Sequence, residues 1–416
     1  MSHDSETPPN STVQPNSAVS AVPPGGRIVV VGASLAGLRA AEGLRAEGYT
    51  GEVVVIGDEA ADPYDRPPLS KEVLTGVMTA DDVLLMRDPE LDVTWELGRP
   101  AIGLNTQRRV VEIEGGKEVG YDQVVLATGS RARTLPTFGH SETVHTVRTV
   151  DDALRLRAVL GEGTRLLVIG CGFIGVEVAS SARTLGADVT MVGLDAPLAP
   201  AGPLATQACT ALLQTNGVVL HTGFGVSTAE ITESGAHRVT LSDGTVVDAD
   251  QVVVACGSMP NVEWLETSGL PLDNGVVCGA DLRVVGFPDV FAAGDIARWP
   301  HPAFGASLRV EHWSNAVEQG QAVARAAVRG ESAEPFAGMP SFWSDHFGVR
   351  LQGIGALALA TRFELTQGDV ESGRFAAAAY AGDTFVGGVA YGIPRAVAMF
   401  RIKLVKAAKV LAESAV

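Results

Sequence analysis

Two stretches of the chain repeat one pattern of apolar and polar positions. Residues 27–59, "RIVVVGASLAGLRAAEGLRAEGYTGEVVVIGDE", and 166–195, "LLVIGCGFIGVEVASSARTLGADVTMVGLD", each open on four or five β-favouring apolar residues. A glycine turn follows at Gly32 and at Gly170, then a helix-period stretch ending near Gly48 and Gly186. A second short apolar run closes each repeat, "EVVVIG" and "DVTMVG". Strand, helix, strand in that order predicts two βαβ units, each in a parallel sheet buried on both faces. "YDQVVLATGSRAR" and "ADQVVVACGSMPN" then supply one further strand to each unit, and "PDVFAAGDIA" a short strand running into Gly294-Asp295. From about Phe336 the pattern changes to short strands joined by Gly-Asp turns, closed by the helical stretch "PRAVAMFRIKLVKAAKVLAES". The fold class expected is α/β, two nucleotide-binding domains with a third, smaller α+β domain.

Length and charge narrow the function. A chain of 416 residues is too long for one ordinary domain. A formal net charge of −17 argues against nucleic acid or an anionic membrane as the main partner. The four cysteines (Cys171, Cys209, Cys256 and Cys278) form no CxxC pair and have no histidines at metal-ligand spacing. A redox dithiol and a structural metal are therefore not expected, and scattered thiols of this kind suit the reducing cytoplasm. Residues 1–26, rich in Ser, Pro, Asn and Thr, read as a disordered leader, and no uninterrupted apolar run is long enough to span a membrane.

The glycine turns carry the chemistry. In Gly32-Ala33-Ser34-Leu35-Ala36-Gly37, small residues let the backbone approach a pyrophosphate, and the following helix aims its N–H groups and partial positive charge at the anion. Ser34 replaces the usual middle glycine. Asp58-Glu59 bring a carboxylate to where a ribose hydroxyl needs an acceptor. Asp295 of "AAGD", read as a second helix N-terminus, suits the polyol chain of a flavin, or else is a plain N-cap. In "PYDRPPLSK", paired prolines stiffen a loop, Ser70 is positioned to cap a helix, and Lys71 either projects from a preorganised element or is an ordinary surface lysine. A fixed ammonium beside a flavin favours added negative charge on the ring. The second loop has all three glycines, Gly170, Gly172 and Gly175. Glu177, expected in the first turn of its helix, is repelled by a nucleotide's phosphates and so points away from them, or merely stabilises the helix. At the end of "DVTMVGLD", where a carboxylate ordinarily binds the adenosine ribose, stands Gly193; Asp195 follows two residues later, and no Arg or Lys comes after it in "LDAPLAPAGPLATQ".

With these residues in view, the chain from about Arg27 resembles the FAD-dependent NADH:ferredoxin reductases that serve oxygenases and cytochromes P450. "VVVGASLAGL", "PYDRPPLSK", "VRTVDDA", "VIGCGFIGVEVA", "FAAGDIA", "VEHWSNAVEQG" and "FWSDHFG" occur in the family's order. The resemblance implies two Rossmann-like, glutathione-reductase-like domains and a C-terminal interface domain. Their expected bounds are 27–136 with 257–335 for FAD, 137–256 for NAD, and 336–416. It implies FAD contacts from Gly32, Ala36, Asp58, Lys71, Ala101, Arg148, Asp295 and Trp313, and a Lys71–Glu177 ion pair beside the reacting rings, near Trp313. It implies NADH as donor (NADPH not excluded, given Gly193) and a [2Fe–2S] ferredoxin as acceptor. No metal is expected on the chain itself, which is expected as a monomer or weak dimer. Ferredoxins are acidic, so Arg401, Lys403, Lys406 and Lys409 of the last helix, with Arg309, form the expected docking face. The alternatives on the same fold are a rubredoxin reductase or NADH oxidase, and a redox-sensing flavoprotein of the apoptosis-inducing-factor kind.

Overall fold

The structure, a computed structural model, describes residues 25–139, 141–330 and 334–414, with side chains described as far as residue 407. The first 24 residues, most of the expected leader, lie outside it.

Each repeat folds as a βαβ unit. Strand Arg27–Val31 pairs in parallel with Glu52–Ile56 on one side and Gln123–Leu126 on the other. Val290–Ala292 and Thr94–Glu96 complete that sheet, both in parallel. The second sheet repeats the plan. Arg165–Ile169 lies between Asp188–Gly193 and Gln251–Val254, with Val219–Thr222 and Val144–His145 at the edges, all parallel. The central strands are near-continuous runs of buried Val, Ile and Leu, as sheets covered on both faces require.

Helix Leu35–Ala46 crosses helix Trp313–Arg329 over the first sheet. Two glycines allow the close approach: a Cβ at Gly43 would stand 2.8 Å from Ala324 Cβ, and one at Gly320 would stand 2.5 Å from the Ala36 carbonyl oxygen. Small antiparallel sheets cap each nucleotide unit, Ala101–Asn105 through Lys117–Gly120 and Val226–Ile231 through Val246–Ala249. The chain passes between the two units through an antiparallel ribbon of Ser130–Ala132 and Ser258–Pro260.

The C-terminal segment is a five-stranded antiparallel sheet followed by helix Val397–Ser414. Phe400 and Leu404 of that helix pack onto Ile354, Ala376 and Ala390. The opposite face of the sheet, through Leu351, Phe375, Val389 and Tyr391, joins one hydrophobic core with the second nucleotide unit and the Pro67–Thr75 segment. That shared core fixes the position of strand Ser341–His346 against helix Phe173–Thr184.

Candidate functional site

At both glycine turns the first glycine is dictated by backbone geometry. Gly32 (φ 116°) and Gly170 (φ 113°) lie in the left-handed region. A Cβ there would stand 2.1 Å from the Ala127 carbonyl oxygen in the first unit and 2.2 Å from that of Ala255 in the second. Gly37 and Gly175 serve the helix–strand approach, since a Cβ would meet the carbonyl oxygens of Gly32 and Gly170 at 1.8 and 2.0 Å. The middle positions are the open ones. Nothing lies within 4 Å of a Cβ on Gly172, and Ser34 caps its helix in extended conformation with its hydroxyl uncommitted to the cap. Each turn therefore leaves room for an anion at the start of a twelve-residue helix.

From the first turn a cleft of about 810 Å³ runs between the two units. Gly32, Ser34, Ala36, Asp58, Lys71, Ala101, Arg148, Gly172, Glu177, Asp295 and Trp313 line it, whereas Gly37, Gly170 and Gly175 lie behind its wall. At its first end Asp58 is exposed. Glu59 is tied down instead, accepting from Tyr64 Oη and, at 2.6 Å, from Arg66. Arg148 is placed by a capping box at helix Val150–Val159: Thr149 and Asp152 cap each other, and Asp152 also accepts from the Arg148 N–H at 3.0 Å. Its guanidinium then reaches Asp295 at 3.0 Å, where Ser130 Oγ also donates at 2.8 Å. Asp295 opens only the 3-10 turn Gly294–Ile296, which runs straight into strand Ala297–His301, so the expected second helix N-terminus is absent. Asp295 acts instead as a carboxylate held by Arg148 and Ser130.

Glu177 is the meeting point of three segments. It is the fifth residue of helix Phe173–Thr184, one turn deeper than expected, and 3 % exposed, so the stabilising surface glutamate is ruled out. Lys71 Nζ donates to its Oε2 at 2.9 Å and Ser70 Oγ to the same oxygen at 2.5 Å. Ser344 Oγ, from strand Ser341–His346, donates to Oε1 at 2.8 Å. Ser70 therefore caps no helix; its hydroxyl is spent on the carboxylate. One turn on, Ser181 Oγ donates to the Ser70 carbonyl at 2.7 Å and Ser180 Oγ accepts from the Phe347 N–H at 2.7 Å. Residues 177, 180 and 181 share a helix face at i, i+3, i+4, and that polar face holds both neighbouring segments.

Trp313 Nε1 donates to Asp65 Oδ1 at 2.8 Å and the indole meets Trp343 edge-on, with centroids 6.2 Å apart. Phe342 lies between Phe173 and His312. Of these participants, Asp65, Arg66, Ser130 and Ser344 are not among the residues picked out from the sequence. The period-2 alternation of Phe342, Ser344 and His346 in "FWSDH" is the signal that puts Ser344 on the inner face.

The residues present fit a flavin dinucleotide. Beside the open first loop, the cleft wall carries two buried polar atoms with no protein partner, His312 Nδ1 and Trp264 Nε1. The cleft is of ligand size and contains no cysteine. All four thiols are free, and among the described residues no group of His, Cys, Asp and Glu is arranged to hold a metal ion. No helix is long and apolar enough to cross a membrane.

Burial lowers two histidines to about 4. For His312 the nearby Asp295 opposes the shift, and for His346 Asp345 opposes it while Lys71 adds to it. Both are neutral in the fold where an unfolded histidine, titrating near 6.5, takes up a proton. Their contribution to stability is therefore full above about pH 6.5 and is lost as pH falls toward 4. His346→Gln, which keeps a partner for Tyr391 Oη at the position of Nε2, is expected to flatten part of that slope in thermal melts between pH 4 and 7.

The docking residues separate. Arg401 and Lys406 are exposed, and the Lys409 side chain lies outside the described residues. Lys403 Nζ sits 4.0 Å over the Phe385 ring and donates to Tyr380 Oη. Arg309 does not belong to this face: its side chain is 13 % exposed, paired with Glu311 and bonded to the Asp295 carbonyl.

A cleft of ligand size beside two glycine turns with room for an anion suits an oxidoreductase, and comparison with known proteins agrees. Residues 26–320 match the family described as pyridine nucleotide-disulphide oxidoreductase and residues 341–416 the reductase C-terminal family, and the chain belongs to the first with the second appended. It is 36 % identical to rhodocoxin reductase of Rhodococcus erythropolis over 88 % of this chain and 87 % of the relative. It is 35 % identical to the ferredoxin–NAD(+) reductase component of the p-cumate 2,3-dioxygenase system of Pseudomonas putida, over 82 % and 84 %. The covalent putidaredoxin reductase–putidaredoxin complex superposes with a TM-score of 0.86 at 30 % identity, over 91 % and 93 % of the two chains.

Proposed function

We propose that this chain is an FAD-dependent reductase that takes electrons from NADH and delivers them singly to a [2Fe–2S] ferredoxin serving a cytochrome P450 or Rieske oxygenase. The observation that carries the reading is the Lys71–Glu177 pair, which joins the two nucleotide units at the wall of the cleft. Relatives named as ferredoxin–NAD(+) reductase components and the putidaredoxin reductase complex support it. Bound FAD supplies the exchange between two-electron and one-electron chemistry. The chain's residues do the rest. Gly32, Ser34, Ala36, Gly37 and Asp58 would hold the adenosine diphosphate half. Arg148, Asp295 and Ala101 would line the remainder, and Gly170, Gly172 and Gly175 the visiting nucleotide. The segments 27–136 with 257–335, 137–256 and 336–416 are proposed as the FAD, NAD and interface domains. Glu177, fixed by two hydroxyls, holds the Lys71 ammonium in one place, so its charge acts on the cleft without reorganisation. Trp313 is held by Asp65 in the same way. With no cysteine in the cleft, electrons have no dithiol to pass through, which disfavours the oxidase reading. The free thiols suit the cytoplasm.

The test is anaerobic rapid mixing: NADH bleaches the flavin absorbance, and colour returns on adding a [2Fe–2S] ferredoxin but not rubredoxin or oxygen. Return with oxygen alone makes the protein an oxidase; bleaching without return to any carrier makes it a sensor. For docking, Lys406→Glu is expected to raise the KM for ferredoxin severalfold, roughly the effect of one rim charge, and to leave NADH-driven bleaching unchanged.

A further inference from the structure

The two βαβ units can be compared residue by residue, because equivalent hydrogen bonds fix their register. The Gly32 N–H donates to the Ile56 carbonyl at 2.7 Å, and the Gly170 N–H to the Val192 carbonyl at 2.7 Å. Gly57 and Gly193 are therefore equivalent, each at the end of its second strand. Both are buried, and both face the residue after the first glycine of their own turn. A Cβ on Gly57 would stand 2.5 Å from Ala33 Cβ; one on Gly193 would stand 2.7 Å from Cys171 Sγ and 3.2 Å from its Cβ. Cys171 thus fills the space that a carboxylate-bearing residue at 193 would need. The Gly193 carbonyl is held by the N–H groups of Gly223 and Phe224, so the strand end is closed on that side as well.

The units differ at the next position. In the first, Gly57 is followed by Asp58, an exposed carboxylate on the cleft. In the second, Gly193 is followed by Leu194, 74 % exposed. The carboxylate that grips a ribose 2′-hydroxyl and repels a 2′-phosphate is missing both from the strand end and from the position where the first unit carries Asp58. Asp195 takes the place of Glu59. It is exposed, and its charge, after burial and Cys256, helps push the Cys171 thiol up to about 11.

We propose that the second nucleotide site admits NADPH alongside NADH, the Cys171–Gly193 contact and Leu194 having removed the group that ordinarily separates them. The inference rests on the assignment of that turn to the nicotinamide donor. The test uses the FAD-loaded enzyme and the adenosine diphosphate halves alone, with binding of ADP and of adenosine 2′-phosphate 5′-diphosphate, which differ only in the 2′-phosphate, followed by calorimetry. The wild type is expected to bind the two within about tenfold of each other, because a hydrogen bond to a charged acceptor is worth about ten- to a hundredfold where it exists. Leu194→Asp, a surface change that copies Asp58, is expected to move the ratio beyond tenfold in favour of ADP with the flavin spectrum unchanged. A wild-type preference for ADP above tenfold overturns the inference alone, and its loss in Asp195→Asn then identifies Asp195 as the discriminating acid. Binding of neither compound overturns the assignment of the turn itself.

Discussion

Glu177→Ala is expected to lower the thermal unfolding midpoint sharply. It strands the Lys71 ammonium, whose side chain is 12 % exposed, and leaves the Ser70 and Ser344 hydroxyls without their acceptor. Removing one partner of a buried pair costs about 3–5 kcal/mol, because the remaining charge keeps its desolvation penalty and loses its compensation. Three segments lose their common anchor together, so docking of strand Ser341–His346 should loosen too. Glu177→Gln keeps a carbonyl oxygen for one hydroxyl and is expected to retain part of the stability. It still lacks the negative charge that holds Lys71, so flavin reduction by NADH should slow in both variants. Melting curves of the two variants beside Ser344→Ala check this; a Glu177→Ala protein as stable as the wild type contradicts the clamp.

Gly172→Val is expected to weaken binding of the pyridine nucleotide by roughly a hundredfold or more, the loss of two or so hydrogen bonds to a charged phosphate. Flavin content should hold and the melting temperature should fall only slightly, because a Cβ on Gly172 meets no protein atom within 4 Å and the poorer helix cap costs about 1 kcal/mol. Gly170→Ala differs in kind. Its φ of 113° and the Ala255 carbonyl 2.2 Å from the new Cβ make it a folding lesion, expected to lower stability before any binding is measured. Nucleotide titration and melting curves of the two variants separate room for a ligand from room for the backbone. Equal loss of stability in both contradicts the distinction.

Much of this was legible in the sequence, for identifiable reasons. Apolar runs ending in glycine turns are strongly periodic, and they place both parallel sheets and the Gly32 and Gly170 turns where the structure has them. Lys71 and Glu177 could be paired only through the family resemblance, since they stand 106 residues apart. Misreadings arose where a local signal competed with a distant partner. Ser70 followed by a short helix looks like a cap, whose oxygen would accept from a backbone N–H, but its hydroxyl instead donates to a buried carboxylate of the second βαβ unit. Asp295 after "AAG" looks like a helix start, but the strand after it takes the chain elsewhere. Alternation in "FWSDH" puts Ser344 on an inner face but cannot name Glu177, 167 residues away, and Asp65 carries no local signal for Trp313, 248 residues away. Arg309 looked like surface charge, yet folding spends it on Glu311 and the Asp295 carbonyl.

The central claim is that the two turns hold different tenants that meet at the Lys71–Glu177 clamp. A crystal structure of the purified, yellow protein grown with excess NAD(+) tests it most directly. The account predicts FAD density starting at Gly32–Gly37 and filling the cleft, with separate NAD(+) density at Gly170–Gly175 whose nicotinamide end lies beside Lys71 and Glu177. Flavin at the second turn, or a nicotinamide end remote from that pair, would contradict it.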